Sequence, residues 1–225
     1  MAMITAYGKK FDFNAVMAAL LKAMPGYDVP IVTLIAVQEK DPFKILMSAI
    51  LSTRTKDETT AAGSQRLFAK APNAESLNSL PLKQIEKLIY PIGFYRNKAI
   101  AVKSAAKRIL EQHGGKVPET LEELLAFDGV GRKVANLVLG EAFATPAICV
   151  DIHVHRISNR MGIIKTTDPH KTELDLEKIL PRKHWIRYNT CLVAHGQHTC
   201  KPISPFCSQC VIKDHCKRVG VERSR

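Results

Sequence analysis

The sequence has no apolar run long enough to cross a membrane. Its apolar stretches, such as residues 45–50, fall far short of the roughly 20 residues that span a bilayer. Residues 1–11 contain neither the apolar core nor the small-residue cleavage site of a secretory signal. We therefore expect a cytoplasmic protein without a membrane partner.

Acidic and aromatic residues are also scarce. The 225 residues include 21 Asp and Glu against 33 Lys and Arg, which gives a net charge of +12, and only 6% are aromatic. A basic surface attracts polyanions, because each phosphate that it neutralises releases condensed counterions. The charge balance favours a nucleic-acid partner, although a ribosomal-type or merely basic protein would show the same balance.

No convincing run of strand-like alternation is found, and helical signals dominate. Asp41-Pro42 combines an N-cap with proline at the first helical position, and Thr120 with Glu123 forms a capping box. Residues 31–37 are rich in β-branched side chains but have no partner strand nearby, so we predict a helix or a buried connector. The pattern predicts an all-α fold, with further helices over residues 57–70, 82–90 and 96–112.

The six cysteines fall into two groups. Cys149 and Cys191 stand alone in apolar surroundings, which is typical of buried small hydrophobes. The other four are crowded into one short segment: Cys200, Cys207, Cys210 and Cys216. Without a secretory signal a disulfide framework is not expected, so four thiolates so close together predict a metal site. Four cysteines serve both zinc and iron–sulfur centres, but a single C-x2-C pair makes a zinc ribbon the weaker choice.

A glycine turn precedes a basic helix start at residues 128–133. Gly129 and Gly131 let the backbone approach a ligand closely, and the N–H groups of the following helix favour an anion. We predict that Gly129, Val130, Gly131 and Arg132 contact a DNA phosphate. An ordinary pair of helices joined by a turn is the alternative interpretation.

Two residues after this turn have the chemistry of catalysis. Lys133 lies in the first turn of a helix, where the helix dipole and desolvation would lower the pKa of its amine, as a nucleophile requires. The alternative is a surface lysine that contacts phosphate. Asp151 is expected to be an N-cap, and its carboxylate could also stabilise a sugar cation or transfer protons. His153 and His155 are two residues apart, which argues against a shared metal.

These motifs carry a family resemblance. The segment FDGVGRKVANLVL at residues 127–139, followed by VDIHVHR at 150–156, resembles the helix–hairpin–helix and Gly/Pro…Asp signature of the endonuclease III family of DNA glycosylases. The cysteine spacing C-x6-C-x2-C-x5-C is similar to the pattern that holds a [4Fe–4S] cluster in that family. The likeness extends from Pro42-Phe43 to Cys216.

The resemblance implies a fold and a partner. It implies two helical domains: a six-helix barrel with the helix–hairpin–helix at residues 33–146, and a [4Fe–4S] cluster domain formed by residues 1–32 and 147–225. DNA would lie in the cleft between the two domains. The expected partner is double-stranded DNA with a damaged base or an abasic site, bound by a monomer in the nucleoid.

The resemblance also implies site residues. Lys133 matches the Schiff-base nucleophile and Asp151 the catalytic aspartate of a glycosylase and AP lyase that removes oxidised pyrimidines. Arg54 falls where the family places a residue that fills the gap left by the flipped base. Phe94 falls at a second wedge position, with a buried core residue as the alternative. His153 is also expected to contact DNA.

The sequence departs from the family at three places. Asp128 replaces a common proline, and we expect its side chain to turn away from the phosphate or to cap the next helix. Arg54 replaces a frequent glutamine, which leaves the opposite-base preference open. The loop at residues 201–206 has one basic residue, so its share of DNA affinity is expected to be small.

Other functions remain open at this stage. Mismatch glycosylases for thymine or uracil opposite guanine generally lack a lysine at the position of Lys133, and adenine glycosylases have a further C-terminal domain. A non-catalytic iron–sulfur protein that binds DNA would keep the glycines and the cysteines without needing Lys133 or Asp151. A zinc-binding RNA protein would have no iron.

Overall fold

A computed structural model describes residues 3–4 and 10–225 of the chain, with side chains from residue 11 onward. Within this range the regular secondary structure is almost entirely helical, as predicted. The helices are α1 (Phe13–Ala23), α2 (Ile31–Glu39), α3 (Pro42–Ser52), α4 (Asp57–Lys70), α5 (Ala74–Ser79), α6 (Leu82–Ile89), α7 (Tyr95–Gln112), α8 (Leu121–Leu125), α9 (Arg132–Phe143), α10 (Ile152–Met161), α11 (Pro169–Ile179) and α12 (Trp185–His198).

Short elements complete the fold. Single 3-10 turns lie at Met24–Gly26, Arg182–His184, Cys207–Gln209 and Lys213–His215. One feature differs from the all-α prediction, because Met3–Ile4 (β1) pairs antiparallel with Lys10–Phe11 (β2). Two residues on each strand are too few for the alternating pattern that identifies a strand in a sequence.

Helix starts follow the local capping chemistry. The Asp41 carboxylate accepts a hydrogen bond from the Phe43 N–H at 2.9 Å, and Pro42 occupies the first helical position. The Thr120 hydroxyl oxygen accepts from the Glu123 N–H at 3.3 Å at the start of α8. Both predicted N-caps are confirmed, but at Thr120 the Glu123 carboxylate accepts from the threonine hydroxyl, whereas the predicted capping box requires it to accept from the backbone N–H.

The β-branched segment at residues 31–37 belongs to helix α2. Its buried residues are Ile31, Val32, Ile35 and Ala36. They recur at the i, i+1, i+4 and i+5 spacing of one helix face, so burial of that face outweighs the weak intrinsic preference of β-branched residues for strands. The helix prediction is confirmed.

The chain divides into two compact units, with boundaries after Pro30 and after Thr145. In residues 31–145, α3 is the central helix and packs against α2, α4, α7 and α9. Its residues 45–51 are all buried. In the other unit, α12 packs against α1 and α10, and α10 packs against α11. The buried side chains at the centre of that unit include Val16, Leu20, Ile157, Tyr188 and Leu192.

In the described residues, no single helix is both long and apolar enough to cross a membrane. The segments Phe13–Gly26 and Ile31–Glu39 satisfy that test of length and composition only when they are taken together.

The packing of α3 leads to a stability prediction. Leu46 is 0% exposed, so Leu46→Ala should leave a cavity and lower the free energy of unfolding by about 2–5 kcal/mol. Val37 is 66% exposed on α2, and Val37→Ala should change it by less than about 0.5 kcal/mol. Urea unfolding followed by far-ultraviolet circular dichroism measures both, and equal losses would contradict the central place of α3.

Candidate functional site

The glycine turn between α8 and α9 needs its first glycine. Gly129 has φ = +77°, and a Cβ there would lie 3.4 Å from Cβ of Ala101 on α7. The next residue faces inward, because Val130 is 6% exposed and its N–H donates to the Phe127 carbonyl at 3.1 Å. The Val130 side chain therefore fills the core beneath the turn, and its amide N–H has a hydrogen-bond partner within the turn.

The helix start that follows the turn is open on one side. Gly131 is the N-cap of α9, and apart from its two chain neighbours no described residue lies within 4 Å of where its Cβ would stand. Arg132 begins the helix beside it. Because the first N–H groups of a helix point away from its body, this end can bind an anion such as phosphate.

Lys133 is the second residue of α9 and is exposed. From the sequence we expect Lys133 to lie at the positive end of a helix and to be desolvated. The helix position is confirmed, whereas the residue is exposed. The residue therefore lies on the surface at the positive end of α9.

Asp151 is the N-cap of α10, as predicted. Its Oδ1 accepts hydrogen bonds from the N–H groups of His153 at 2.9 Å and Val154 at 2.8 Å. The preceding residues 148–150 are buried, and the Asn189 side chain donates to the Cys149 carbonyl at 3.0 Å. The carboxylate is thus fixed in orientation by the helix after it and by the anchored segment before it.

Asp128 turns away from the start of α9. Its Oδ2 accepts a hydrogen bond from the Ser104 hydroxyl on α7 at 2.7 Å. This is one of the two outcomes expected for an acidic residue in place of the family's proline. The bond holds the carboxylate toward α7, which limits its repulsion of a phosphate at Gly131.

The two histidines of α10 make contacts with different neighbours. His153 Nδ1 is 3.1 Å from Arg156 Nη2, and its ring lies so close to Gly196 that a Cβ there would collide with it. His155 Nδ1 is 2.7 Å from the Thr172 hydroxyl on α11. The two rings therefore contact different elements of the structure. The structure gives the His153 ring a packing role against α12.

Arg54 and Phe94 lie close together. Both are exposed, and the Arg54 guanidinium carbon is 6.0 Å from the centre of the Phe94 ring. Both line an open pocket together with Gly129. Phe94 is 62% exposed, so the alternative of a buried core residue is wrong. Both residues have positive φ, +51° for Arg54 and +58° for Phe94, a strained conformation for residues with a side chain.

The sequence analysis missed Lys98, which lies beneath this pair. Lys98 is 6% exposed, and its Nζ donates to the carbonyls of Leu51 at 2.8 Å and Thr53 at 2.5 Å and to the Thr55 hydroxyl at 2.8 Å. Burial lowers the pKa of its amine to about 8. One signal was available: Lys98 is four residues before Val102, on the apolar face of α7.

The four clustered cysteines surround one cavity. Its lining consists of Cys200, Cys207, Cys210 and Cys216 together with apolar residues that include Ile157, Met161, Phe206, Ile212 and Val221. Within the described part of the chain, no three His, Cys, Asp or Glu side chains converge as the ligands of a single metal ion do.

Hydrogen-bond donors face several of these sulfurs. Arg160 Nη1 donates to Cys200 Sγ at 3.4 Å, and the Arg218 N–H donates to Cys216 Sγ at 3.4 Å. Burial raises the pKa of the Cys210 thiol to about 11. A bound cation would offset this cost, because metal ligation favours the thiolate. Cys149 and Cys191 lie outside this cavity lining and are buried, as predicted.

Comparison with known proteins identifies relatives. Residues 47–182 match the HhH-GPD superfamily of base excision DNA repair proteins. The chain is 44% identical over 180 residues to Endonuclease III of Thermotoga maritima, covering 80% of this chain and 84% of that protein.

Solved structures give the same result. The fold is similar to that in a trapped covalent intermediate of Endonuclease III with DNA, with a TM-score of 0.80, 31% identity and coverage of 90% of this chain and 92% of the other. It is also similar to a thermostable thymine-DNA glycosylase, with a TM-score of 0.77, 25% identity and coverage of 90% and 94%.

Lys98 should make stability depend on pH. In the unfolded chain its amine stays protonated up to its usual pKa of 10.5, whereas in the folded protein it loses the proton at about 8. Between these values the unfolded state binds more protons, so a rise in pH favours the folded state.

The unfolding free energy of the wild type relative to Lys98→Met should therefore rise by about 1–3 kcal/mol from pH 8 to 10.5, and stay level below pH 8. Urea unfolding at stepped pH measures the difference, and exposed Lys107→Met is the control. Parallel pH profiles for the wild type and Lys98→Met would contradict the burial of a titrating amine.

Proposed function

The chain belongs to the HhH-GPD superfamily of base excision DNA repair proteins, and we propose that it is a DNA glycosylase and AP lyase acting on oxidised pyrimidines in duplex DNA. The observation that carries the proposal is the position of Lys133. It is an exposed lysine on the first turn of α9, directly after an open glycine hairpin, and it lies within the matched residues 47–182. Similarity to an Endonuclease III–DNA covalent intermediate supports covalent chemistry.

Lys133 is the proposed nucleophile. Its uncharged amine attacks C1′ of the damaged nucleotide, and the bond from C1′ to the base breaks, so that the base leaves with the electron pair and takes up a proton. The nitrogen then loses a proton, and its lone pair forms the C1′=N bond of the Schiff base as the C1′–O4′ bond of the sugar ring breaks and O4′ takes up a proton. A proton then leaves C2′ and the C3′–oxygen bond breaks, which cuts the strand 3′ to the lesion. Water finally releases the lysine.

Asp151 is the proposed catalytic carboxylate. A sugar that loses its base develops positive charge in the transition state, and a fixed carboxylate stabilises that charge or transfers protons. Two backbone N–H groups orient Oδ1 of Asp151, so little reorganisation is needed when the charge develops.

DNA binding is proposed for the glycine hairpin and for the exposed pair. Gly129 allows the turn, and the amides at Gly131 and Arg132 would bind a phosphate, with Val130 supporting them from the core. Arg54 and Phe94 would enter the duplex where the damaged base is extruded. His153 would act through its contacts with α12 rather than as a direct ligand.

A [4Fe–4S] cluster is proposed at Cys200, Cys207, Cys210 and Cys216. In such a cluster each iron binds one cysteine thiolate, so the four ligands surround the cluster. Four cysteines around one largely apolar cavity fit this requirement. The cluster would supply structural order to residues 199–218 and position them toward DNA. On this proposal residues 33–146 form the barrel domain, and residues 1–32 and 147–225 form the cluster domain. The protein would act as a monomer at the nucleoid.

A mismatch glycosylase is the second candidate, because the fold is also similar to a thymine-DNA glycosylase. A panel of duplexes, each with one defined lesion or a thymine–guanine mismatch, distinguishes the two. Base release and strand nicking at oxidised pyrimidines favour the first function. Release of thymine alone favours the second.

Substitution of Lys133 should separate covalent chemistry from binding. Borohydride reduces a Schiff base to a stable amine, so the wild type should form a covalent adduct with abasic-site DNA. Lys133→Gln removes the nucleophile and should abolish the adduct, with DNA affinity changed less than about tenfold because many phosphate contacts remain. Gel analysis of adducts and fluorescence anisotropy measure the two effects.

Lys107→Gln is the matched control, because Lys107 is also an exposed helical lysine. It should form adduct at the wild-type level. Full adduct formation by Lys133→Gln would overturn the assignment of Lys133 and point to another amine as the nucleophile. No adduct with the wild type would leave a DNA-binding protein without lyase chemistry.

Asp151→Asn tests the carboxylate without removing the helix cap. Asparagine is as good an N-cap as aspartate, so stability should change by less than about 1 kcal/mol. The rate of base release should fall by about 100-fold or more, because the negative charge is lost. Single-turnover kinetics measures base release, and an unchanged rate in a folded variant would exclude Asp151 from catalysis.

Cysteine labelling tests the cluster. Purified protein should contain about four irons per chain, and a thiol reagent should label few cysteines until the iron is removed. Cys200→Ser should lower the iron content. Cys191→Ala should not, because Cys191 is 1% exposed and lies outside the lining of the cavity. Zinc in place of iron, or rapid labelling of all four thiols in iron-loaded protein, would refute the proposed cluster.

A further inference from the structure

Lys98 has a contact set that suits an ammonium group. Its three N–H donors are matched by three oxygens, the carbonyls of Leu51 and Thr53 and the hydroxyl of Thr55. The two carbonyls lie at the C-terminal end of α3, where the helix dipole is negative and favours a cation. A buried lysine is costly, so a satisfied one at this position has a specific structural task.

Two of the three oxygens, those of Thr53 and Thr55, belong to the turn that carries Arg54. The turn links α3 to α4, and Arg54 adopts φ = +51° within it, so its backbone needs support from its surroundings. Two contacts supply that support. Lys98 binds residues 53 and 55 on either side, and Gly93 lies so close that a Cβ there would be 2.9 Å from the Arg54 carbonyl.

Lys98 is also attached to the segment that carries Phe94. Its backbone N–H donates to the Phe94 carbonyl at 3.1 Å in the first turn of α7. Phe94 has φ = +58° and is the N-cap of that helix. One residue thus bonds through its side chain to the Arg54 turn and through its backbone to Phe94.

We propose that Lys98 is a positioning residue that fixes Arg54 relative to Phe94, so that the two side chains enter DNA as one preformed unit. This inference rests on the proposed function, because it assumes that the pair enters the duplex. Without the lysine, the carbonyls of Leu51 and Thr53 would lose a buried donor and the Arg54 turn would relax. Insertion into DNA would then require ordering of the turn at the moment of binding.

The chain offers a matched control on the same helix. Lys103 Nζ donates to the carbonyls of Asn78 and Leu80, each at 2.6 Å, so it also joins α7 to neighbouring backbone. Its partners lie at the end of α5, away from residues 53–55 in the sequence. Lys103→Met therefore removes a similar set of bonds without touching the Arg54 turn.

The experiment measures insertion directly. The probe is a duplex with a tetrahydrofuran abasic analogue and 2-aminopurine opposite it, whose fluorescence rises when a side chain unstacks the base. Wild type should raise the fluorescence, and Arg54→Ala should remove most of the rise. Lys98→Met should remove at least half of it while affinity for undamaged duplex changes less than about threefold, and Lys103→Met should behave as wild type.

A second pair of variants covers the case in which Lys98→Met does not fold. Thr55→Val removes one of the three oxygens at nearly constant shape, and Thr55→Ser keeps it. Thr55→Val should reduce the fluorescence rise and Thr55→Ser should retain it. If the turn needed only a side chain of that size, Thr55→Val would retain the fluorescence rise as well.

The outcomes separate the inference from the function on which it rests. If the wild type itself gives no fluorescence rise, insertion by the pair is wrong, whatever Lys98 does. If the wild type gives the rise and both Lys98→Met and Thr55→Val retain it in full, the pair enters DNA but Lys98 does not position it. Equal losses in Lys98→Met and Lys103→Met would also overturn the inference, because they would reflect general destabilisation.

Discussion

Helix α3 is buried by α2, α4, α7 and α9, and the proposed DNA contacts in residues 31–145 depend on that burial. Arg54 follows the C-terminal end of α3, Phe94 precedes α7, and the glycine hairpin precedes α9. Gly129 in turn packs against Ala101 of α7 and Ile50 of α3. The apolar contacts of this central helix therefore set the positions of Arg54, Phe94 and the glycine hairpin. Because the hydrophobic effect has no preferred direction, the hydrogen bonds around α3 determine how these groups are oriented.

Helix ends provide most of that direction. The N-terminus of α9 is open, with glycine as its cap, and it suits an external anion. The N-terminus of α10 is capped by its own carboxylate, Asp151, which suits a developing cation. The C-terminus of α3 receives the ammonium of Lys98. In each case the partial charge of the helix end and the charge of its partner are opposite, so the same backbone dipole serves three different tasks.

The sequence predicted what depends on neighbours along the chain. The caps at Asp41, Thr120 and Asp151 are interactions over two or three residues, and the spacing of apolar residues gave the helices, including the β-branched α2. The sequence did not reveal Lys98, because its partners at residues 51–55 come from a different helix. The exposure of Lys133 and the inward position of Val130 also depend on how the hairpin packs, which no local pattern specifies. The hydrogen bonds to the cysteine sulfurs also escape a local pattern. Arg160 is 40 residues from Cys200 in the sequence, and Arg218, which donates to Cys216, lies outside the helices.

The left-handed backbone at Arg54 has a consequence for how this protein can change. Glycine or asparagine would adopt that conformation at lower energy, so a selection for heat resistance alone would favour replacing the arginine. The guanidinium above the Phe94 ring would then be lost. On the proposed role of Arg54, thermal stability and insertion into the duplex thus place opposite demands on this one residue, and variants adapted to hotter conditions would have to gain their stability elsewhere.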